Sequence, residues 1–428
     1  MGSRLTPLPA GPRALPVGPR VLPGGPRALP ADDGDAEPRP NGAGAIFQLM
    51  RDGAARTRAD LAAVTGLARS TVAARVDELL ATGLVAPTGE AASTGGRPPA
   101  TFAFRPGARL VLAADIGVSR ARVAVTDLAA TVLAEAALDL AVADGPVVVL
   151  DAVLAQFEAL LERTGRSSAD LAGVGVGLPG PVEHSTGHPV SPPLMPGWDG
   201  FDVVGYLGRA LGVPILVDND VNIMALGEHA AVWPSVDDLL FVKIATGIGA
   251  GIISHGELQR GAQGAAGDLG HIAVPGGPDT PCRCGNVGCL EAVASGRAVA
   301  ATLREKGYDV ATNTALVELL RSGNTDAALA IRQAGRSVGR VLAACVNLLN
   351  PSVIVIGGIM AEAGEHLLAG IREVVYTRSL PLATQHLRIV GAGTAGRAGV
   401  LGAAALVVQH VLSARQVDQL VATPAGVA

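Results

Sequence analysis

Cysteine is scarce in this sequence. Four in 428 residues are too few for a secreted framework of disulfides, and a chain of this length buries enough apolar surface to fold without such staples. Lysine is scarcer still: Lys243 and Lys306 stand alone among 33 basic residues, a bias that fits a GC-rich genome rather than a physical constraint. Long apolar runs are missing too. Mean hydropathy is +0.39, yet no run of about eighteen apolar residues escapes Gly, Pro or a charge, so no membrane-spanning helix is expected. Ala and Val supply the hydropathy. A signal peptide is likewise not expected, because the N-terminus has neither a continuous apolar core of about seven residues nor a convincing cleavage site. These absences leave a cytoplasmic protein of net charge −5, with two or three compact units at about 150 residues each.

Residues 1–40 carry a near-repeat, GPRALP at 11, GPRVLP at 18 and GPRALP at 25. Proline at this density removes backbone donors and blocks helix and central strand, so the segment reads as a disordered tail. The pattern changes at residue 41. Residues 45–51 read as a short apolar helix stopped by Gly53. Thr57 lies three residues before Asp60, the spacing of a capping box, and a second helix runs to a turn at Gly66. The next helix puts Val72, Val76, Leu79 and Leu80 on one stripe. Its other face presents Arg69, Ser70, Thr71, Ala74 and Arg75, mostly short or basic groups able to approach a DNA groove. Gly83 ends the helix, and a hairpin through Thr94-Gly95-Gly96-Arg97-Pro98 returns into 101–104. Residues 41–105 therefore read as a winged helix-turn-helix with Arg69, Ser70, Thr71, Arg75 and Arg97 as DNA contacts. Seven Arg against five acids there make a weak basic footprint, so Arg69, Arg75 and Arg97 have to concentrate the field locally. A small helical interaction domain is the alternative.

From 106 onward, apolar runs at 110–114, 123–126, 174–178, 214–217, 239–244 and 352–356 alternate with helical stretches such as 150–161. That alternation argues an α/β fold. Several runs end in glycine turns: Asp115-Ile116-Gly117, Thr246-Gly247-Ile248-Gly249-Ala250-Gly251 and Gly357-Gly358. Glycine lets backbone amides approach an anion closely, and three such turns suggest the two-lobed nucleotide-binding fold of sugar kinases. Cys282, Cys284 and Cys289 crowd into a spacing better suited to one metal than to bridges. Cys345, on a helix of apolar periodicity, reads as a core residue.

Two stretches make a resemblance specific: Gly267-Asp268-Leu269-Gly270-His271, and the run from Cys282 to Glu291, CRCGNVGCLE. They match GExGH and CxCGxxGCxE almost position for position, with Asn219-Asp220, Pro196-Gly197-Trp198 and the Thr-Gly-Gly-Arg-Pro wing in support. From 41 to about 410 the chain resembles the ROK family (repressors, open reading frames and kinases), in its longer DNA-binding branch with the xylose and N-acetylglucosamine repressors. The resemblance implies a winged helix-turn-helix followed, over 106–428, by a two-lobed actin-like, sugar-kinase (ribonuclease H-like) ATPase fold. It implies His271 as the fourth ligand, beside Cys282, Cys284 and Cys289, of a structural Zn²⁺ whose closed tetrahedron leaves no water to activate. It also implies that Asn219, Asp220, Asp268, His271 and Glu291 contact a sugar, with Asp220 the catalytic base if the chain is a kinase.

Departures from the family pattern accompany these matches. Asp268 stands where the family usually has Glu, and Leu194 stands where kinases have Asn before Pro-Gly-Trp. Where ROK kinases read D-x-G-G-T-K, this chain reads Asp115-Ile116-Gly117-Val118-Ser119-Arg120. Val118 is β-branched where Gly would admit phosphate, and Arg120 has a different geometry from Lys. Asp115, Gly117, Ser119, Thr246, Gly247, Gly249, Gly357 and Gly358 are then a vestigial nucleotide site, and competent phosphoryl transfer from ATP with Mg²⁺ is not expected. The sequence reads as a sugar-responsive transcriptional regulator, a repressor, with operator DNA and a sugar or sugar phosphate as partners. A homodimer or homotetramer is expected, since operators for such modules usually comprise two half-sites. The alternative is an ATP-dependent sugar kinase carrying a DNA-binding arm.

Overall fold

A computed structural model describes residues 41–90 and 98–422; the proline-rich segment 1–40 and Arg97 at the wing lie outside the described residues. Helices α1 (Ala43–Met50), α2 (Arg58–Thr65) and α3 (Arg69–Thr82) pack with strands β1 (Arg56–Thr57), β2 (Val85–Glu90) and β3 (Ala100–Phe104), ordered β1-β3-β2. Thr57 and Asp60 form a complete capping box at the start of α2. Gly66 and Gly83 end α2 and α3 with φ of 69° and 76°, a left-handed conformation that carries no Cβ penalty in glycine. Phe47, Leu61, Val72, Val76 and Leu79 are fully buried, and the Phe47 ring meets Phe104 edge-on at 5.4 Å between centroids. The apolar stripe of α3 is thus its buried face, as its spacing requires. This is a winged helix-turn-helix.

The remainder repeats one plan twice. Strands β4 (Leu110–Ile116), β5 (Arg120–Asp127) and β6 (Val132–Asp139) form an antiparallel meander. Helix α4 (Pro146–Thr164) then leads to β7 (Leu171–Leu178), parallel to β4. A small hairpin, β8 (Val182–Glu183) with β9 (His188–Pro189), and helix α5 (Val203–Leu211) precede β10 (Ile215–Asn219), parallel to β7. After α6 (Asp220–Val232) comes a second meander, β11 (Leu239–Ile244), β12 (Ile248–Ser254) and β13 (Glu257–Gln259). Helices α7 (Leu290–Ala294), α8 (Gly296–Glu305), α9 (Asn313–Arg321) and α10 (Thr325–Leu349) lead to β14 (Val353–Gly357), parallel to β11. Helices α11 (Glu365–Arg378) and α12 (Pro381–Thr384) lead to β15 (Arg388–Gly391), parallel to β14. The sheet orders are β10-β7-β4-β5-β6 and β13-β12-β11-β14-β15. Two lobes of matching topology are the sugar-kinase architecture. Helices α13 (Ala398–Val411) and α14 (Ala414–Ala422) follow. No single helix among the described residues is long and apolar enough to cross a membrane.

Helix α13 lies on β4 and β7, α6 lies on β11 and β12, and the two helices cross each other. Glycine makes the crossing close. A Cβ at Gly402 would sit 1.6 Å from the Ile223 carbonyl oxygen, and one at Gly227 would sit 1.9 Å from that of Ala398. Glu228 of α6, fully buried, accepts from the Gly393 amide at 2.5 Å and the Thr394 hydroxyl at 2.7 Å, just ahead of α13. Beyond α13, helix α14 turns onto the winged helix. The Gly44 amide donates to the Asp418 carboxylate at 2.7 Å, and the Gln48 amide group donates to the Leu412 carbonyl at 2.7 Å. Val417 is buried in the same apolar cluster as Phe47, Met50 and Val76.

One sequence expectation needs correction. Residues 246–251 read as a phosphate loop, but the chain turns only around Ala245–Gly247, where the Ala245 amide donates to the Gly247 carbonyl at 2.9 Å, and β12 starts at Ile248. Gly249 and Gly251 are strand residues beneath α6; a Cβ at Gly251 would lie 2.5 Å from that of Ala225. Packing requires glycine at 251, whereas a Cβ at Gly249 would come no nearer than 3.1 Å to a Val221 methyl.

Candidate functional site

A single 3₁₀ turn, Leu269–His271, and the loop 281–289 converge at the start of α7. Isolated bridges Ala273↔Cys289 and Pro281↔Val287 hold the loop, and Gly285 and Gly288 reverse it at φ of 91° and 71°. His271 Nδ1 comes to 3.6 Å from Cys282 Sγ, and Cys284 Sγ to 3.7 Å from Cys289 Sγ. All four ligand atoms lie within 4.8 Å of one another. A tetrahedron with metal–sulfur bonds of about 2.3 Å has edges of about 3.8 Å, so the residues fit a single metal ion. Two of the thiols feel this crowding in opposite directions. The Asn286 amide draws the Cys284 thiol down to about 7, whereas burial, with hydrogen bonds shared among the thiols, pushes Cys289 up to about 12. Three sulfurs this close cannot all ionise unless a cation joins them.

The residues expected to meet a sugar gather around β12. On one side α6 begins, with Asn219 as its N-cap. The Asn219 side-chain oxygen accepts from the Val221 amide at 2.8 Å, and its Nδ2 donates to the Gly180 carbonyl at 2.8 Å, so most of its hydrogen-bonding capacity is internal. Asp220 is buried, 3% exposed. On the other side stand Asp268, exposed, and His271, half-buried. Glu291 reaches the Ile248 amide with its Oε2 at 3.3 Å, and its Oε1 lies 3.7 Å from Arg297. Glu291 also closes on the β11–β12 turn, since a Cβ at Gly247 would lie 2.5 Å from its Oε2.

Two groups here escape the sequence reading. Asp218, 2% exposed, accepts from Arg260 Nε at 2.7 Å and from Asn222 Nδ2 at 2.8 Å, which braces the strand-to-helix junction that carries Asp220. Lys243, at the end of β11, makes a short hydrogen bond to Asp220 Oδ2. A charged residue inside the otherwise apolar run Leu239–Ile244 is the signal that could have found it.

The vestigial nucleotide residues occupy three strand ends. Gly117 and Ser119 form the β4–β5 turn, where the Gly117 amide donates to the Arg120 carbonyl at 2.8 Å. Val118 packs against the apolar cluster of the first lobe, and its carbonyl accepts from the Val142 amide at 3.0 Å. Arg120 pairs with Asp139 at 3.1 Å. Asp115 is partly buried at the end of β4; its enclosure, opposed by Lys243 and reinforced by Asp220, pushes its carboxyl up to about 6. Thr246 Oγ1 accepts from Asn313 at 3.3 Å. Gly357 faces the Phe241 ring, and Gly358, at φ of 79°, lies over the Ile244 carbonyl. Ser119 and Arg120 are exposed, whereas Val118 and Thr246 have partners inside the protein.

On α3, Arg69 and Ser70 are exposed and Thr71 is half-buried. Arg75 is turned inward: its Nη1 bonds Glu78 at 2.8 Å and its Nε donates to the Asn41 carbonyl at 3.2 Å. The exposed charge on the first turn of this helix is Arg69.

Known proteins share this architecture. A family model described as ROK matches residues 111–410. A putative xylose repressor of Caldicellulosiruptor sp. (strain Rt8B.4) is 30% identical over 382 residues, covering 86% of this chain and 95% of that protein. A solved ROK family transcriptional regulator, a homologue of the Escherichia coli MLC protein, superposes with a TM-score of 0.73 at 26% identity, over 89% of this chain and 98% of that one. A ROK family glucokinase from Streptomyces griseus, solved with glucose and AMPPNP, gives a TM-score of 0.61 at 29% identity, over 69% of this chain and 98% of that one.

Proposed function

The chain belongs to the ROK family, and we propose that within it the protein is a sugar-responsive DNA-binding transcriptional regulator, a repressor of carbohydrate-utilisation genes. The observation that carries this reading is a winged helix joined to a sugar-kinase fold whose first phosphate turn has Val118 in place of glycine, packed on the apolar cluster of that lobe. Residues 41–105 are the DNA module, with Arg69, Ser70 and Thr71 on the first turn of α3 as its leading DNA contacts and Arg75 and Arg97 as further candidates. Residues 106–428 are the effector unit, in which Asn219, Asp220, Asp268, His271 and Glu291 meet the hydroxyls of a sugar or sugar phosphate. Hydroxyls both donate and accept, so carboxylates and amides in plural suit them. A structural Zn²⁺ on His271, Cys282, Cys284 and Cys289 fixes the turn that bears Asp268, and leaves His271 Nε2 for the sugar. The regulator works as a homodimer or homotetramer on paired half-sites.

A mechanical route supports the coupling. Helix α6 starts at Asp220 and crosses α13; α13 leads into α14; α14 packs on α1 and α3. Tightening of the cleft around a sugar shifts α6 against α13, and the shift reaches the recognition helix through α14.

An ATP-dependent sugar kinase with a DNA-binding arm is the second reading, favoured by Asp220 at the N-terminus of α6 and by the glucokinase match. Gel-shift titration of the operator complex across a panel of sugars and sugar phosphates, beside an ADP-release assay, separates the two. The regulator reading expects ligand-dependent change in DNA retention without turnover. Sugar-dependent turnover of about 1 per second or faster would replace it with the kinase.

A further inference from the structure

Lys243 is one of two lysines in the chain, and its surroundings are built for it. In the sheet its neighbours are Gly249 on β12 and Gly357 on β14, so no flanking side chain crowds its stem. Leu240, Val242 and Ile244 point into the core of the second lobe, whereas Leu239 and Phe241 belong to the cluster that includes α6. Lys243 continues that second set, and its ammonium bonds the Asp220 carboxylate. Asp115 of the other lobe is the second acid that attracts it. Arg122, opposite Asp115 in the β4–β5 register, lies 3.6 Å from Glu135. Burial alone would favour a neutral amine, but Asp220 and Asp115 outweigh it and hold the lysine above its ordinary value.

Acids of opposite lobes that feel one another's charge, as Asp115 and Asp220 do, are groups that in a phosphotransfer fold could share a divalent cation with a nucleotide. The residues present do not fit Mg²⁺–ATP: an ammonium is already on Asp220, a β-branched Val118 replaces glycine in the first phosphate turn and Arg120 is paired with Asp139.

We propose that Lys243 is a tethered cation that neutralises Asp220 by direct hydrogen bond in place of a divalent metal, with Asp115 of the other lobe left beyond direct contact, so that the cleft does without Mg²⁺ or nucleotide. A lysine is a compact point charge on a flexible stem, which suits it to stand in for an ion. The substitution also makes the cleft a binding site rather than a transfer site, because one oxygen of Asp220 is committed to the protein itself. This inference goes beyond the regulator reading, and its readouts contain no DNA. Loss of operator binding would refute that reading and leave the role of Lys243 standing.

The test uses the full-length, zinc-replete chain and Mg²⁺ alone, with Mn²⁺ as the spectroscopic probe. Lys243→Met keeps the stem and removes the charge. The wild-type melting temperature is expected to ignore millimolar Mg²⁺. Lys243→Met is expected to melt lower, to recover at least about 3 °C on Mg²⁺ addition, and to bind one Mn²⁺ by electron paramagnetic resonance. Lys243→Arg should behave like the wild type. Asp115→Asn with Lys243→Met should melt higher than Lys243→Met and lose the Mg²⁺ response. If Lys243→Met does not fold, the double variant should, and a double variant that also fails overturns the proposal. A wild type stabilised by Mg²⁺ as much as Lys243→Met, or a Lys243→Met protein with an unchanged melt and no Mg²⁺ response, overturns it as well.

Discussion

Asp115→Asn changes one atom and removes one charge, so its effect on stability isolates the electrostatics of the cleft. In the folded chain the Asp115 carboxyl is pushed from its ordinary 3.8 to about 6, first by burial, with Lys243 pulling it down and Asp220 pushing it up. The folded state therefore binds the Asp115 proton more tightly than the unfolded state. Stability falls as pH climbs from about 4 to about 6, and the full cost is present above that window. At about 1.4 kcal/mol for each tenfold, the separation converts to about 3 kcal/mol as an upper bound. Asparagine keeps the volume and never ionises, so the variant should be more stable than the wild type by up to about 3 kcal/mol at pH 7, and equal to it near pH 4. Urea unfolding at several pH values measures the difference. Trp198, fully buried in the cluster that also holds Leu112, Ala114 and Ile116 of β4, reports on the lobe concerned. A variant less stable at pH 7, or a gap that does not change with pH, would refute the reasoning.

Further outcomes follow from other parts of the molecule. Freshly purified protein should carry one zinc per chain by elemental analysis, and Cys284→Ala should lower zinc content and sugar response together; retained zinc in that variant would reject the four-ligand assignment. Arg69→Ala should weaken operator binding by about 1–3 kcal/mol if the side chain reads a base edge, and more than Arg75→Ala, whose guanidinium is already bonded to Glu78; equal losses in gel-shift titration would contradict the inward turn of Arg75. Gly402→Ala should destabilise by about 3 kcal/mol or force the helices apart, since its Cβ would meet the Ile223 carbonyl oxygen at 1.6 Å; a thermal melt unchanged from the wild type would mean that α6 and α13 do not cross as described.

Legibility in the sequence follows the range of each interaction. The capping box of Thr57 and Asp60, the stripe of Val72, Val76 and Leu79, and the knuckle of Cys282, Cys284 and Cys289 are written within a turn or two of chain, and all three recur in the structure. Glycine misleads because it has two uses. At Gly285 it supplies a reversal, but at Gly251 it clears a path for α6, and composition alone cannot separate a flexible loop from a crowded strand. Strand β6 is hidden for another reason: its residues are mostly half-exposed or exposed, so it lacks the buried run that marks β7 or β14. Lys243 and Asp220 are joined by a contact between a strand and a helix start that only the fold brings together. Nothing local announces such a pair except the oddity of a charge within an apolar strand.

The grip of α14 on α1 also bears on how the protein is made. The Gly44 amide and its acceptor Asp418 are 374 residues apart, an interval that a ribosome moving at roughly 5–20 residues per second needs tens of seconds to cross. During that time α1 has α3 and β3 beside it but lacks the part of its cover that α14 supplies. The part of the chain synthesised early thus waits for one of the last parts to close its core. Premature termination anywhere in the effector unit would leave the α14-facing side of α1 and α3 uncovered, and an interrupted product should be less stable than the whole chain.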